Sequence, residues 1–157
     1  MFISQSMTTK VITIDENADI AEAQDKMARH HIRHLPVVAE DNLLIGIVTD
    51  RDIRSALPSS HLTDAASAEQ RKRLTEIKIK DIMTKNPLTI SPADTIQDAL
   101  LLIQTKRVGA LPVVDDHGRL KGILSVRDLL RAFINVLGLG EPGTLLGILV
   151  EQKIGQM

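Results

Sequence analysis

The chain is written twice. Residues 7–57 lie without a gap over residues 83–133 at an offset of 76, and 16 of the 51 pairs are identical, where ordinary residue usage gives about three or four by chance. The identities come in blocks: Leu35-Pro36-Val37-Val38 over Leu111-Pro112-Val113-Val114, Gly46-Ile47 over Gly122-Ile123, and Arg51-Asp52 over Arg127-Asp128. Whatever one copy forms, the other must form as well. A unit of about 50 residues covers its sheet on one side only and is marginal alone. The two copies must therefore complete each other's cores within the 157 residues available.

Within each copy the hydrophobic period changes in the same order. A short β-rich piece (Val11–Ile14; Pro87–Ile90) precedes a helix, whose start is signalled by Asp19 in the first copy and by Ser91-Pro92-Ala93-Asp94 in the second. Ile20, Ala23 and Met27, and likewise Ile96, Ala99, Leu100 and Ile103, fall on one helical face each and are expected to be core. Leu-Pro-Val-Val then reads as a short buried strand with its proline at the opening, where a missing N–H is tolerable. Polar turns (Glu40-Asp41-Asn42; Asp115 to Gly118) lead to second strands at 43–48 and 119–124, making hairpins, and second helices are expected at 50–57 and 126–137. The fold class is α+β, two strand-helix-strand-strand-helix units packed sheet to sheet about a pseudo-two-fold axis. The expected divisions are 1–57, a solvated helical connection at 58–80, 81–137, and a tail at 138–157.

Aromatics are only 1% of the chain and the net charge is -1. The core must come from Leu, Ile, Val, Ala and Met, and neither base-stacking platforms nor a phosphate-binding charge excess exists, which disfavours nucleic acid as a partner. No cysteine is present, so thiolate metal sites and thiol nucleophiles are excluded. The N-terminus lacks signal-peptide character and no apolar run reaches spanning length, so a cytoplasmic location without membrane contact is the default. No nucleophile–base pair, carboxylate pair or phosphate-cradling glycine loop of catalytic type is recognisable, and Gly138-x-Gly140 is too short, which argues against an enzyme.

Both second strands run into their helices through the same pattern: Gly46-Ile47-Val48-Thr49-Asp50-Arg51-Asp52 and Gly122-Ile123-Leu124-Ser125-Val126-Arg127-Asp128. A hydroxyl three residues before an Asp at a helix start is a capping arrangement. The same groups can accept ribose hydroxyls and, with Arg and free helix N–H groups, hold phosphate. Spacing alone leaves both readings open.

The whole chain, however, resembles a pair of cystathionine-beta-synthase (CBS) domains, a Bateman module, over roughly 7–57 and 81–137. The resemblance rests on Asp81-Ile82-Met83-Thr84 with Asn86-Pro87, on Leu-Pro-Val-Val in both copies, and on the Thr/Ser-x-Arg-Asp endings. It implies a regulatory module whose two clefts bind adenosine-containing ligands such as AMP, ADP, ATP, NAD or S-adenosylmethionine, with no cofactor required and no metal. Each cleft takes its ribose-binding ending from one unit and its base-lining segment from the other. The first cleft would combine Ile47, Thr49, Arg51 and Asp52 with Asn86, Leu88, Val108, Gly109 and Ala110. The second would combine Ile123, Ser125, Arg127 and Asp128 with Lys10, Ile12, Ile32, Arg33 and His34. Lys10, Arg33, His34 and Arg127 suit the second to polyphosphate, whereas the first has a mostly neutral lining, so unequal affinities are expected. In the first copy Ser6-Met7 replaces Ile82-Met83, and Lys10-Val11 replaces Asn86-Pro87. The rival reading is a homodimerisation scaffold whose Thr/Ser-x-x-Asp elements are only caps.

Three further features stand apart. His30, His31 and His34 bunch without an acidic or cysteine set, so a phosphate neighbour is favoured over a metal ligand at His34, with binding strengthening below about pH 6.5. Leu100-Leu101-Leu102-Ile103, together with Leu129, Leu130, Phe133, Ile134, Val136 and Leu137, exceeds what one core face needs and points to a homodimer. Residues 140–157 resemble the opening of an ACT domain, as in acetoin-utilisation-type CBS–ACT proteins, which implies a chain continuing past Met157 into an attached domain, or a regulated protein as partner.

Overall fold

The computed structural model describes residues 1–57 and 68–138, without the side chains of residues 69–71. The expected tail element after residue 138 and the start of the connecting segment lie outside the described residues. The first copy forms α1 (Ile20–His30), β1 (His34–Val38), β2 (Leu44–Thr49) and α2 (Asp50–Ala56), and α3 (Ala68–Glu76) follows in the connecting segment. The second copy forms α4 (Ile79–Ile82), β3 (Thr84–Lys85), α5 (Ile96–Lys106), β4 (Ala110–Val114), β5 (Leu120–Ser125) and α6 (Val126–Val136). The protein is α+β, and its two halves pair sheet to sheet.

The hairpins β1–β2 and β4–β5 are antiparallel in one register: Leu35 faces Val48 and Val37 faces Gly46, as Leu111 faces Leu124 and Val113 faces Gly122. The β-rich pieces before α1 and α5 contribute one parallel bridge each, Ile14 to Val37 and Ile90 to Val113. This explains the proline, which sits mid-strand rather than at the opening. The Pro36 carbonyl accepts from Ile14 N–H and the Pro112 carbonyl from Ile90 N–H. Backbone N and O of one strand residue point the same way, so each proline turns its blocked nitrogen toward this sparsely paired edge and costs the hairpin nothing.

The two halves exchange their leading arms. Ile79 is fully buried in the core of the first copy, against Ile20, Leu35 and Val48, and Ile3 is fully buried in the core of the second, with Leu111, Leu124 and Leu129. The backbone repeats the exchange bond for bond: Ile3 N–H donates to the Asp94 carbonyl and Ile79 N–H to that of Ala18, while Ser4 donates to Pro92 and Lys80 to Glu16. β3 then pairs with β2, and Thr8 bridges to Ile123 in β5. Burying an Ile is worth roughly 1.5–3 kcal/mol, so each arm ties one half to the other by more than surface contact. At the far end the hairpin turns meet, with Leu43 bridged to Arg119 and Leu44 N–H donating to the Gly118 carbonyl.

Asp19 caps α1 as expected, accepting from Glu22 N–H at 2.9 Å. The start of α5 differs from expectation. Ser91 to Asp94 close a turn of their own, and the cap is Thr95, which forms a reciprocal box with Asp98. A hydroxyl with an acid three residues on outcompetes a Pro-based start because it satisfies two orphan N–H groups. Leu100, expected in the core, is 50% exposed, while Ala99 is buried and Ile96, Leu102 and Ile103 pack against the core from its edge. The α3 helix is polar as expected, with Leu74 resting on the core of the first copy.

Candidate functional site

The strand-to-helix junctions are capping boxes in full. Thr49 N–H and Oγ1–H donate to Asp52 Oδ2 at 2.8 and 2.9 Å, and Asp52 N–H donates back to Thr49 Oγ1 at 3.2 Å. Ser125 and Asp128 repeat this at 2.8, 2.7 and 3.2 Å. Thr95 and Asp98 make the same three bonds at 2.9, 2.6 and 3.2 Å on an open surface. Those bonds hold the exposed Asp98 carboxyl below its ordinary pKa. The box alone therefore marks a helix start, and anything further at Asp52 and Asp128 must come from their surroundings.

The glycine of the repeated ending has a packing cause. A Cβ on Gly46 would stand 2.6 Å from Met83 Sδ and 3.0 Å from the Thr84 carbonyl; one on Gly122 would stand 2.6 Å from Met7 Sδ and 2.9 Å from the Thr8 carbonyl. Each exchanged arm crosses the other copy's hairpin at this point.

What distinguishes the Asp52 and Asp128 boxes is that each opens onto a cavity between the halves. The first cavity, about 360 Å³, is lined by Ile47, Thr49, Arg51 and Asp52 from one side and by Leu88, Val108, Gly109 and Ala110 from the other. The second, about 560 Å³, is lined by Ile123, Ser125, Arg127 and Asp128 opposite Lys10, Ile12, Ile32, Arg33 and His34. Both volumes fall in the range of small-molecule sites. Of the expected residues only Asn86 does not line its cavity; its backbone is left-handed at φ 48°, and Thr84 and Pro87 are on the wall instead. The repeat does not mark Asp50 and Arg107 in the first cavity, or His30, His31 and Arg131 in the second. A signal for His30, His31 and Arg107 exists, since they end α1 and α5, with His31 and Arg107 both at φ 53°.

The cavities differ in charge and in the state of their carboxylates. The first is lined mostly by neutral residues, and its charges are matched, Arg51 and Arg107 by Asp50 and Asp52. The second sets Lys10, Arg33, Arg127 and Arg131 against Asp128 alone. Asp128 is buried at 7% exposure, and its Oδ1 accepts from Thr8 Oγ1 at 3.3 Å with Arg131 Nη1 at 3.8 Å. Asp52 Oδ1 has no such partner among the described residues.

His34 lines both cavities. Its Nε2 lies 2.8 Å from where a Gly109 Cβ would stand, so the imidazole lies over that glycine in the shared wall. Burial lowers its pKa from 6.5, with Arg33 acting the same way and Asp50 and Asp52 opposing. The expected gain in binding below about pH 6.5 is thereby moved to lower pH. Among the described residues no group of three or more His, Cys, Asp or Glu is arranged so that it could hold a metal ion. No helix of the described residues is long and apolar enough to cross a membrane.

Comparison with known proteins agrees with this architecture. The CBS domain profile matches residues 3–59 and 79–135, starting at the buried Ile3 and Ile79 of the two arms. A CBS domain-containing protein of Dictyostelium discoideum is 35% identical over 137 residues, covering 87% of this chain and 94% of its own. A CBS domain pair solved in complex with 5'-methylthioadenosine and S-adenosyl-L-methionine superposes with a TM-score of 0.71 at 29% identity, covering 87% of this chain and 98% of its own. A putative acetoin utilization protein from Vibrio cholerae superposes with a TM-score of 0.73 at 26% identity, covering 90% and 98%. With two copies, exchanged arms and paired clefts accounted for, the chain belongs to the CBS domain family, as a tandem pair.

Proposed function

We propose that the protein is a regulatory module that binds adenosine-containing small molecules in the two clefts between CBS units at 1–57 and 81–137, and itself performs no chemistry. The observation that carries this is the contrast among three identical capping boxes. Those at Asp52 and Asp128 face cavities completed by the other copy, and the one at Asp98 lines neither of them. In the first cleft Asp52 Oδ1, which has no hydrogen-bond partner among the described residues, can accept ribose hydroxyls, with Thr49 and Arg51 beside it and Leu88, Val108 and Ala110 as apolar cover for a base. In the second, a ribose would replace Thr8 on Asp128 Oδ1, and Lys10, Arg33 and Arg127 favour an anionic ligand. The CBS pair that holds methylthioadenosine and S-adenosylmethionine supports the ligand class.

Thermal melting with AMP, ADP, ATP, NAD and S-adenosylmethionine tests the reading. A ligand at a hundredfold its dissociation constant stabilises the fold by about 2.7 kcal/mol. No shift with any of them leaves the scaffold reading. That second reading has its own support. Leu100, Leu101, Val126, Leu130, Phe133 and Val136 are each half or more exposed on α5 and α6, a face suited to a second copy of the chain. Sensing and homodimerisation are compatible, and sedimentation with and without ligand separates them.

A further inference from the structure

We propose that His30, His31 and Arg131 form a subsite at the outer end of the Asp128 cleft for phosphates beyond the first, so that this cleft takes a nucleoside di- or triphosphate in preference to a monophosphate. The proposal rests on the nucleotide reading above and adds three residues that the repeated ending does not contain.

The duplication acts as an internal control for Arg131, though not for His31, whose counterpart Arg107 lines the first cavity. At the offset of 76, Arg131 corresponds to Ser55, Lys10 to Asn86 and Arg33 to Gly109. None of these neutral residues but Gly109 lines the first cavity, whereas all three cations line the second. The second cavity is also larger, about 560 against 360 Å³. Extra cations and extra room occur together, which suits a longer and more highly charged ligand rather than a bulkier base.

Placement gives the cations an order. Arg127 lies in the first turn of α6 beside Asp128, and Arg131 lies four residues, about 6 Å, farther along the helix. His30 and His31 close α1 on the opposite wall, where ring N–H groups can donate to phosphate oxygens. Arg131 is held only loosely: its side chain is 66% exposed and Nη1 stands 3.8 Å from Asp128 Oδ1. A ribose hydroxyl donating to that same oxygen takes over the carboxylate's lone pairs and leaves the guanidinium to turn outward, where it can grip a phosphate in two-pronged fashion.

The test is calorimetric titration of AMP, ADP and ATP in magnesium-free buffer, in an Asp52→Ala background that leaves only the second cleft. ATP should bind more tightly than AMP. Arg131→Ser, which installs the first copy's residue, and the pair His30→Gln with His31→Gln should each weaken ATP by about tenfold, with AMP unchanged. All three side chains are exposed, and melting without ligand verifies that the variants fold. Equal losses for AMP and ATP, or ATP binding no tighter than AMP, would overturn the subsite while leaving the nucleotide cleft in place. Binding of neither to the parent would overturn both.

Discussion

The two halves of the molecule share a backbone and differ in what that backbone carries. Positions that match are those the pairing needs: Ile3 and Ile79 in the exchanged arms, Gly46 and Gly122 beneath them, and the Leu-Pro-Val-Val strands. Positions that differ cluster in two places. One is the cleft walls, where Arg33 and His34 stand opposite Gly109 and Ala110 in the sequence register. The other is the outer helices. The first half carries the ion pairs Asp25–Arg29 and Asp50–Arg54 where the second, at the same offset, carries Leu101, Val126 and Leu130. Duplication supplied two equal frames; the specialisation lies in wall chemistry and surface polarity.

If the frames are equal, breaking either must cost the same. Gly46→Ala and Gly122→Ala should each destabilise by about 1–3 kcal/mol, because a Cβ meets an arm carbonyl as well as a methionine tip. Met7→Ala placed on Gly122→Ala should recover part of the loss and not all, since the Thr8 carbonyl remains 2.9 Å away. Urea denaturation measures both, and a large effect in one copy only would break the equivalence.

The outer helices should respond unequally. Leu130→Arg places the first half's residue on the second half's apolar face. It should weaken homodimerisation by about tenfold or more, read by equilibrium sedimentation. A polar substitution at Asp25, on the charged face, should leave association unchanged. An unaffected oligomeric state in Leu130→Arg would assign the face to something other than a second copy.

Asp52→Ala and Asp128→Ala should each cost the cap about 1 kcal/mol and abolish binding at one cleft while sparing the other. Asp98→Ala removes the same box away from both clefts, so it should lower the melting temperature and leave every titration unchanged. Loss of binding in Asp98→Ala would mean that the caps act through global stability alone.

The equivalence of the two copies was legible because sixteen identities at one offset allow no other alignment, and the hairpins because a polar turn separates two apolar runs in each. The arm exchange was not. Ile3 and Ile79 obey the same offset but stand isolated before the ungapped block, and nothing local says which core an isolated isoleucine enters. The start of α5 was misplaced because Pro92 and Thr95 both signal one, and only the tertiary path chooses. Leu100 was misplaced because α5 is apolar around much of its circumference, so helical spacing fits more than one face. The clefts were legible through the resemblance in their motif residues. Arg131 was not, since the repeat replaces it with Ser55; His31 corresponds to Arg107 at the same helix end, but a change of residue type at that position hides the shared role.

The smallest effect lies where the walls meet. His34 titrates and its counterpart Ala110 cannot. Burial lowers the folded-state pKa of His34 below the 6.5 of the unfolded chain. Between those values the unfolded chain binds the additional proton. Stability from the neutral imidazole is therefore complete above 6.5 and is lost as the pH falls through the folded value. His34→Ala should accordingly flatten the fall in melting temperature between about pH 7 and about pH 5. An anion in the Asp128 cleft favours the charged imidazole, so saturating ligand should flatten the wild-type curve as well and leave that of His34→Ala unaltered in slope. Because the same ring walls both cavities, a slope that responds to ligand at the second cleft when the first is disabled by Asp52→Ala would locate the titration in the shared wall. Identical slopes in wild type and His34→Ala would remove His34 from the pH response altogether.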